Sequence, residues 1–191
     1  MARRRRGAGR KPAGRRGAWL VVAVVVAAAA LVAGRVIHLP GGSRGARAGT
    51  EVWFVRYTDG GRAGTLAGVP RPVASGDTGM RVDAALRALL QGPSAAERAR
   101  GLVSEIPPGT LLRHVRVRDG VAEVDLSASF GGGGGTTSMT ARLWQVVYTA
   151  TQFPQVHAVQ ILLGGRRVPA LGGEGLMIDR PIARPASPPA F

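Results

Sequence analysis

The sequence has no cysteine, only one lysine (Lys11), and few aromatic residues, which make up 5% of its 191 residues. Without cysteine the chain has no disulfide framework, no thiolate metal site, no cysteine nucleophile and no lipid-bearing cysteine of the bacterial lipoprotein type. A phosphate-binding loop of the form G-x-x-x-x-G-K-[ST] needs a lysine directly after its last glycine. The five-glycine run 131–135 has none, so it predicts a flexible connector.

Acidic side chains are scarce, and the basic ones are unevenly placed. The net charge is +15, but residues 1–17 hold eight of the 26 basic side chains and no acid. The remainder has 18 basic against 11 acidic residues, a net charge of +7. A nucleic-acid-binding surface needs a basic stripe with interleaved stacking aromatics. The sequence shows neither, which argues against a nucleic-acid partner.

The longest apolar run predicts a membrane anchor near the N-terminus. Ala18 to Gly34 has no charge, and the apolar character resumes after Arg35 and continues to Leu39. Such a run crosses lipid only as a helix, and about 17 residues is the short end of a span. Arg35 can extend its charge to the interface. We therefore predict a transmembrane helix or signal anchor over 18–39. The basic residues 1–17 form a cytoplasmic tail by the positive-inside rule.

A cleaved signal peptide is the alternative interpretation of this region. Ala28-Ala29-Ala30 and Ala46-Arg47-Ala48 both fit an A-x-A cleavage site, and Arg15-Arg16 resembles a twin-arginine signal. Either interpretation places the following domain outside the cytoplasm of a bacterial cell. In the anchored form the protein is a single-pass protein of the cell membrane. Residues 40–50 predict a flexible linker, 51–171 a folded domain, and 172–191 a proline-rich disordered tail.

The sequence of the folded region predicts alternating strands and helices. The hydrophobic periods, turn residues and caps predict these elements in order: strand 51–57, edge strand 66–73, a helix capped by Asp77 or Thr78 and ended by Gly92-Pro93, a short helix within 94–100, a hairpin of 111–118 and 121–126, a helix capped by Ser138 and ended by Pro154, a central strand 156–163 and a short return strand 167–171. This order, β(β)αββαβ(β), predicts an α+β fold with a small mixed β-sheet and two main helices on one face.

The hairpin is the clearest unit, because Asp119-Gly120 favours a two-residue turn. Its register pairs Val117 with Ala122 and Val115 with Val124 on the core face. On the solvent-exposed face it pairs Arg116 with Glu123 and His114 with Asp125. His114 and Asp125 invite a catalytic interpretation, but no motif supplies a nucleophile beside them. Glu123 and Asp125 lie on one strand face, where Arg116 and His114 neutralise them.

No set of residues predicts an active site or a metal site. His38, His114 and His157 lack the spacing of metal ligands. The sequence thus predicts a non-enzymatic protein without catalytic residues, cofactor or metal.

Several motifs in fixed order resemble the GerMN domain of bacterial sporulation and spore-germination proteins. They are Leu86-x-x-Leu89-Leu90-x-Gly92-Pro93, Leu102-x-Ser104-x-Ile106-Pro107-x-Gly109-Thr110, Val124-Asp125-Leu126-Ser127, and Gln145-Val146-Val147-Tyr148-Thr149 leading through Phe153-Pro154-x-Val156 to Val159-Gln160-Ile161. The resemblance covers residues 51–171. It implies a fold like the ring-building motifs of secretion-type complexes, no catalytic residues, and an extracytoplasmic, anchored location. The chain departs from the tandem, lipidated form of the family, since it has no cysteine and room for one copy.

The expected function is protein–protein interaction or assembly in the bacterial envelope, linked to sporulation or spore germination. The partner is another envelope protein or a second copy of the chain, and the membrane is engaged through the N-terminal helix. The surfaces offered are the sheet edges and the loop Ile106-Pro107-Pro108-Gly109. The alternative is a domain that binds peptidoglycan or another wall glycan, for which the net charge of +7 suits anionic wall polymers.

Overall fold

A computed structural model of the chain describes residues 49–61, 63–73, 75–172 and 175–191. The predicted cytoplasmic tail, the anchor over 18–39 and the linker up to residue 48 lie outside these ranges. None of the helices within the described ranges combines the length and apolar character needed to span a bilayer.

The first sheet has the strand order β2-β1-β3 and is antiparallel throughout. Its strands are β1 (Thr50–Thr58), β2 (Ala63–Arg71) and β3 (Leu102–Val103). Successive side chains of a strand point to opposite faces. Val52 and Phe54 are accordingly buried in the main core, and Trp53 and Tyr57 lie on the other face. β2 is an edge strand, as its prolines predicted.

The second sheet is mixed and has the order β4-β5-β6-β9. Its strands are β4 (Leu112–Arg118), β5 (Val121–Leu126), β6 (Ala158–Leu163) and β9 (Ile182–Ala183). Only β5 and β6 run parallel. The predicted hairpin register is confirmed at all four residue pairs. Asp119 and Gly120 have φ of 48° and 74°, as a two-residue hairpin turn demands.

Within the part of the chain that the structure describes, three helices accompany the sheets: α1 (Thr78–Leu90), α2 (Ala95–Ala99) and α3 (Thr136–Ala150). Single 3₁₀ turns cover Asp59–Gly61 and Ala128–Gly131. The Asp77 carboxylate caps α1 by accepting from the Met80 N–H at 2.9 Å, as predicted. The predicted cap of the last helix is wrong. α3 begins two residues before Ser138, behind Gly135, and the Ser138 hydroxyl instead accepts from Arg142.

A single sheet with both main helices on one face is not what the structure shows. There are three sheets within the described ranges, the third being the two-stranded pair β7 (Ala170–Leu171) and β8 (Leu176–Met177). α1 packs against β1 and β4, and α3 packs against β1 and β6. The physical reason lies on the side of β1 that faces away from β2, where β3 pairs only with Val55 and Arg56. Side chains of α3 and of Gln152 bond the rest of that side, so no hairpin strand can pair there.

The core lies between these helices and the two larger sheets. The predicted apolar stripe of α3 is confirmed, because every member is buried: Met139, Leu143, Val146, Val147, Ala150 and, just past the helix, Phe153. From α1 the core takes Val82, Leu86 and Leu89, and from the hairpin it takes Ala122, Val124 and Leu126. α3 is buried on nearly all sides, so it is the central element of the domain.

The described part of the C-terminal region contains strands and buried side chains, which corrects the prediction of disorder for that part of 172–191. Within its described part, residues 175–191, β8 and β9 form, Ile178 is fully buried, and Phe191 packs beside β1 and β2. The proline content suggested disorder. These contacts with distant residues supply the burial that composition alone did not reveal.

Candidate functional site

The hairpin residues singled out from the sequence do not form a catalytic pair. His114 and Asp125 lie opposite each other in register. The Asp125 carboxylate, however, contacts the Arg113 guanidinium at 3.5 Å and accepts from the Gly165 N–H at 2.8 Å. The His114 side chain is exposed and makes no hydrogen bond to any described residue. Glu123 similarly contacts Arg167 at 3.2 Å instead of Arg116.

No metal site is formed within the described ranges, where no three His, Asp or Glu side chains come close enough to hold an ion. His38 lies outside these ranges. His114 and His157 are both exposed. The His157 ring packs on Gly120, where a Cβ atom would overlap it.

The glycine run surrounds a buried cation. The Arg142 guanidinium, on α3 and only 2% exposed, donates to the carbonyls of Phe130, Gly132 and Gly133 at 2.8, 2.9 and 3.0 Å. Burial lowers the pKa of Arg142. Its hydrogen bonds go to carbonyl oxygens and to the Ser138 hydroxyl, while the Glu105 carboxylate attracts it without a direct hydrogen bond. The flexible connector predicted from composition is therefore a loop held in place by Arg142.

Polar side chains of α3, together with Gln152 just past its end, bond the part of β1 that β3 leaves unpaired. Gln145 donates to the Trp53 carbonyl at 3.0 Å, and Thr149 accepts from the Trp53 N–H at 3.2 Å. Gln152 exchanges two hydrogen bonds of 2.7 Å with the main chain of Glu51. Gln145 and Thr149 are four residues apart and lie on one face of α3, and Gln152 lies two residues past the helix end. That signal was present in the sequence, and our sequence analysis missed it.

An aromatic cluster covers the second face of the first sheet. It consists of Trp53 and Tyr57 from β1 and Trp144 and Tyr148 from α3, together with the aliphatic Val55, Leu66 and Ala141. Trp53 and Trp144 each meet the Tyr148 ring edge-on, at centroid distances of 5.2 and 6.3 Å. Tyr148 is fully buried, and the other three aromatic side chains are half-buried. Both tyrosines of the chain and two of its three tryptophans lie here.

The Tyr57 hydroxyl fixes one side of the cluster to the loop before β4. It donates to the Glu105 carboxylate at 2.8 Å. Burial, reinforced by this carboxylate, raises the pKa of Tyr57 to about 12, so the phenol stays protonated. The Glu105 N–H in turn donates to the Gln145 side chain at 2.8 Å. Nearby, Ile106 is buried while Pro108 and Gly109 form an exposed tip, as the predicted interaction loop requires.

Residues 184–191, here called the C-terminal segment, lie across the aromatic cluster. The Arg184 guanidinium stacks on the rings of Tyr148 and Trp53, 4.1 and 5.1 Å from their centroids. The Tyr148 hydroxyl donates to the Pro185 carbonyl at 3.0 Å. At the other end Phe191 and Gly64 exchange main-chain hydrogen bonds of 2.6 and 3.2 Å.

Gly64 makes room for the last ring of the segment. A Cβ atom at Gly64 would lie 2.5 Å from the Phe191 ring and 3.0 Å from the Tyr57 ring. Any side chain at this position would therefore displace Phe191. The aromatic cluster and the adjoining edge of β2 thus already bind one extended chain with an aromatic side chain, and we take them as the candidate functional site.

The fold is that of GerMN domains whose structures are known. The tandem GerMN domains of the sporulation protein GerM from Bacillus subtilis align with 73% of this chain and 45% of their own, with a TM-score of 0.56 and 18% identity. The first GerMN domain of the same protein aligns with 70% of this chain and 97% of its own, with a TM-score of 0.52 and 17% identity.

A protein from Clostridium perfringens classed as a lipoprotein has the same fold. It aligns with 70% of this chain and 85% of its own, with a TM-score of 0.52 and 23% identity.

No curated protein matches the chain significantly. The model of the Germane family, described as sporulation and spore germination, matches residues 51–169, and the chain belongs to this family. The resemblance inferred from the motifs is confirmed. Membership supports a sporulation-linked role, and the family is not known for enzymatic activity.

Proposed function

We propose that this protein is a non-enzymatic interaction module of the bacterial envelope, acting in assembly during sporulation or spore germination. The domain lies outside the cytoplasm, and the helix over 18–39 anchors it in the membrane. The basic flank of that helix supports this topology, as does the structural likeness to a protein classed as a lipoprotein.

The observation that carries the proposal is the aromatic cluster beside the edge of β2. Aromatic residues are enriched in the cores of protein interfaces because each brings a large contact area and few rotatable bonds. An exposed strand edge adds main-chain donors and acceptors that can pair with another chain. In this domain the two features adjoin, and an extended segment already lies across them.

Site-directed photo-crosslinking in sporulating cells tests the proposal. A photoreactive amino acid at Thr65 on β2 should yield an adduct with one envelope protein. The control places the same photoreactive amino acid at Arg100, an exposed position just after α2, where no adduct should form. A third position at Pro108 tests the predicted interaction loop. Absence of an adduct at all three positions would contradict the proposal.

A wall-glycan-binding function is the second candidate. Arg116 and Arg118 are exposed on β4 and make no ion pair with any described residue, so their charges are free to attract anionic wall polymers. Retention of the purified protein on isolated wall sacculi measures its binding to wall polymers. If Arg116→Ser with Arg118→Ser abolishes retention, and crosslinking finds no protein partner, the glycan function replaces the first proposal.

A further inference from the structure

The outer edge of β2 has main-chain groups that the C-terminal segment does not use. In an antiparallel pair the N–H and C=O of one residue point to the same side, and the side alternates along the strand. Because both groups of Gly64 point away from β1 towards Phe191, those of Leu66 and Gly68 point the same way. No described residue forms a hydrogen bond with Leu66 or Gly68 on this side.

Proline explains why the segment stops after one residue pair. The bonds between Gly64 and Phe191 set an antiparallel register. Continued upstream, that register places Pro189 opposite Leu66 and Ser187 opposite Gly68. Proline has no N–H and cannot donate to a strand ladder. The segment therefore covers the aromatic cluster and leaves the rest of the edge unpaired.

We propose that the β2 edge and the aromatic cluster form a binding site for an extended segment of a partner protein. That segment carries an aromatic side chain over Gly64 and a residue with an N–H opposite Leu66. The C-terminal segment is an intramolecular cover that the partner displaces. This inference rests on the proposed function, since it names the surface and the chemistry of the envelope partner.

A different protein fits the site better than a second copy of this chain. A second copy would bring the same Pro189 to the same position, so exchange between copies gains no hydrogen bond. It would also lose the high local concentration that favours a segment attached to its own domain. A partner strand without proline gains pairs at Leu66 and Gly68, and these can offset that advantage.

Peptide binding to the full-length chain in detergent micelles tests the inference. The probe is a fluorescent peptide of residues 182–191, compared with a version carrying Pro188→Thr and Pro189→Val. The receptor is the Phe191→Ala chain, whose own ring no longer fills the site. We expect the proline-free peptide to bind at least about tenfold more tightly than the unmodified peptide, because it completes the ladder. It should also bind Phe191→Ala about tenfold more tightly than the wild-type chain, where the cover competes.

Two controls separate this result from non-specific adhesion. Methylation of the peptide nitrogen at its last residue removes the donor to the Gly64 carbonyl and should abolish binding without any change to the protein. Gly64→Val in the Phe191→Ala background fills the ring position and should do the same, with an unchanged thermal midpoint showing that the domain is folded.

Three results would overturn the inference: equal binding of the two peptides, no effect of the methyl group, or a wild-type dimer that Phe191→Ala dissociates. The last result would assign the site to exchange between copies. The proposed function fails separately, when crosslinking detects no protein partner at any tested position of the domain.

Discussion

Phe153 occupies the end of the apolar stripe of α3 and is 2% exposed. The Arg81 guanidinium stacks 4.6 Å from its ring centroid. Truncation of a buried phenylalanine removes its burial and leaves a cavity, so we predict that Phe153→Ala lowers the free energy of unfolding by about 3–5 kcal/mol. Chemical denaturation of a fragment of residues 48–191 measures the change.

Trp144→Ala is the matched control for Phe153→Ala. Trp144 lies off the stripe and is half-buried between the main core and the aromatic cluster. Its truncation should therefore cost less than that of Phe153. If Trp144→Ala proves the more destabilising change, the assignment of the buried face of α3 is wrong.

Arg142 is the residue on which the glycine loop depends. Arg142→Met keeps an unbranched apolar stem but removes the guanidinium, which leaves the carbonyls of Phe130, Gly132 and Gly133 without their donor. We predict a loss of about 2–4 kcal/mol in stability, since hydrogen bonds to a charged group are among the stronger ones. Hydrogen exchange at 132–134 should accelerate more than exchange in the strands. Arg116→Met, at an exposed position, should change stability by less than about 0.5 kcal/mol.

At the scale of elements, an ion pair joins α2 to the end of β2. The Glu97 carboxylate accepts two hydrogen bonds from Arg71, of 2.7 and 2.6 Å, and completes a capping box with Ser94. Mainly through the Arg71 bonds, the pKa of Glu97 is lowered from 4.5 to about 2. Because the pKa of Glu97 is lower in the folded chain than in the unfolded chain, its ionisation stabilises the fold at pH values above the unfolded pKa. This stabilisation is lost as the pH falls from about 4.5 to about 2.

Glu97→Gln should therefore remove this pH dependence. Above pH 4.5 we expect the wild-type fragment to be more stable than Glu97→Gln by about 1–2 kcal/mol, a moderate value because solvent screens the Arg71 side of the pair. The difference should vanish near pH 2. Denaturation curves of both proteins across this range measure it. A difference that stays constant with pH would show that ionisation of Glu97 does not contribute to stability, since glutamine at this position can also complete the capping box.

Elements with strong local signals were predictable, and their assembly was not. Asp119-Gly120 set the hairpin register, Asp77 marked the start of α1, and apolar spacing identified the buried face of α3. The division into separate sheets depends on Gln145, Thr149 and Gln152 bonding to β1, contacts that span more than 90 residues of sequence. The spacing of Gln145 and Thr149 marks a polar helix face but does not identify the strand that it bonds, so the sequence alone predicts a single sheet.

At the scale of the whole molecule, the same limit applies to the C-terminal region and to the candidate site. Proline and small residues in 172–191 predicted disorder, yet Arg184 and Phe191 are held by rings more than 35 residues away in sequence. The site could not be found from a motif because it has no reacting group. It arises where β1, β2, α3 and the C-terminal segment meet. The sequence did supply the family and the sheet edge at β2.

The topology proposed for the whole chain rests on its basic N-terminus. Cysteine labelling tests it without background reaction, because the sequence has no cysteine. We predict that a membrane-impermeant maleimide labels Thr58→Cys, at an exposed position of the domain, in intact protoplasts. Ala8→Cys in the basic tail should react only after permeabilisation. If the anchor stays uncleaved, as we propose, both labels should appear on a chain of full-length mass. Labelling of Ala8→Cys but not Thr58→Cys in intact protoplasts would reverse the topology. A mature chain that starts after Ala30 or Ala48 would replace the anchor with a signal peptide, and the domain would then be released from the membrane.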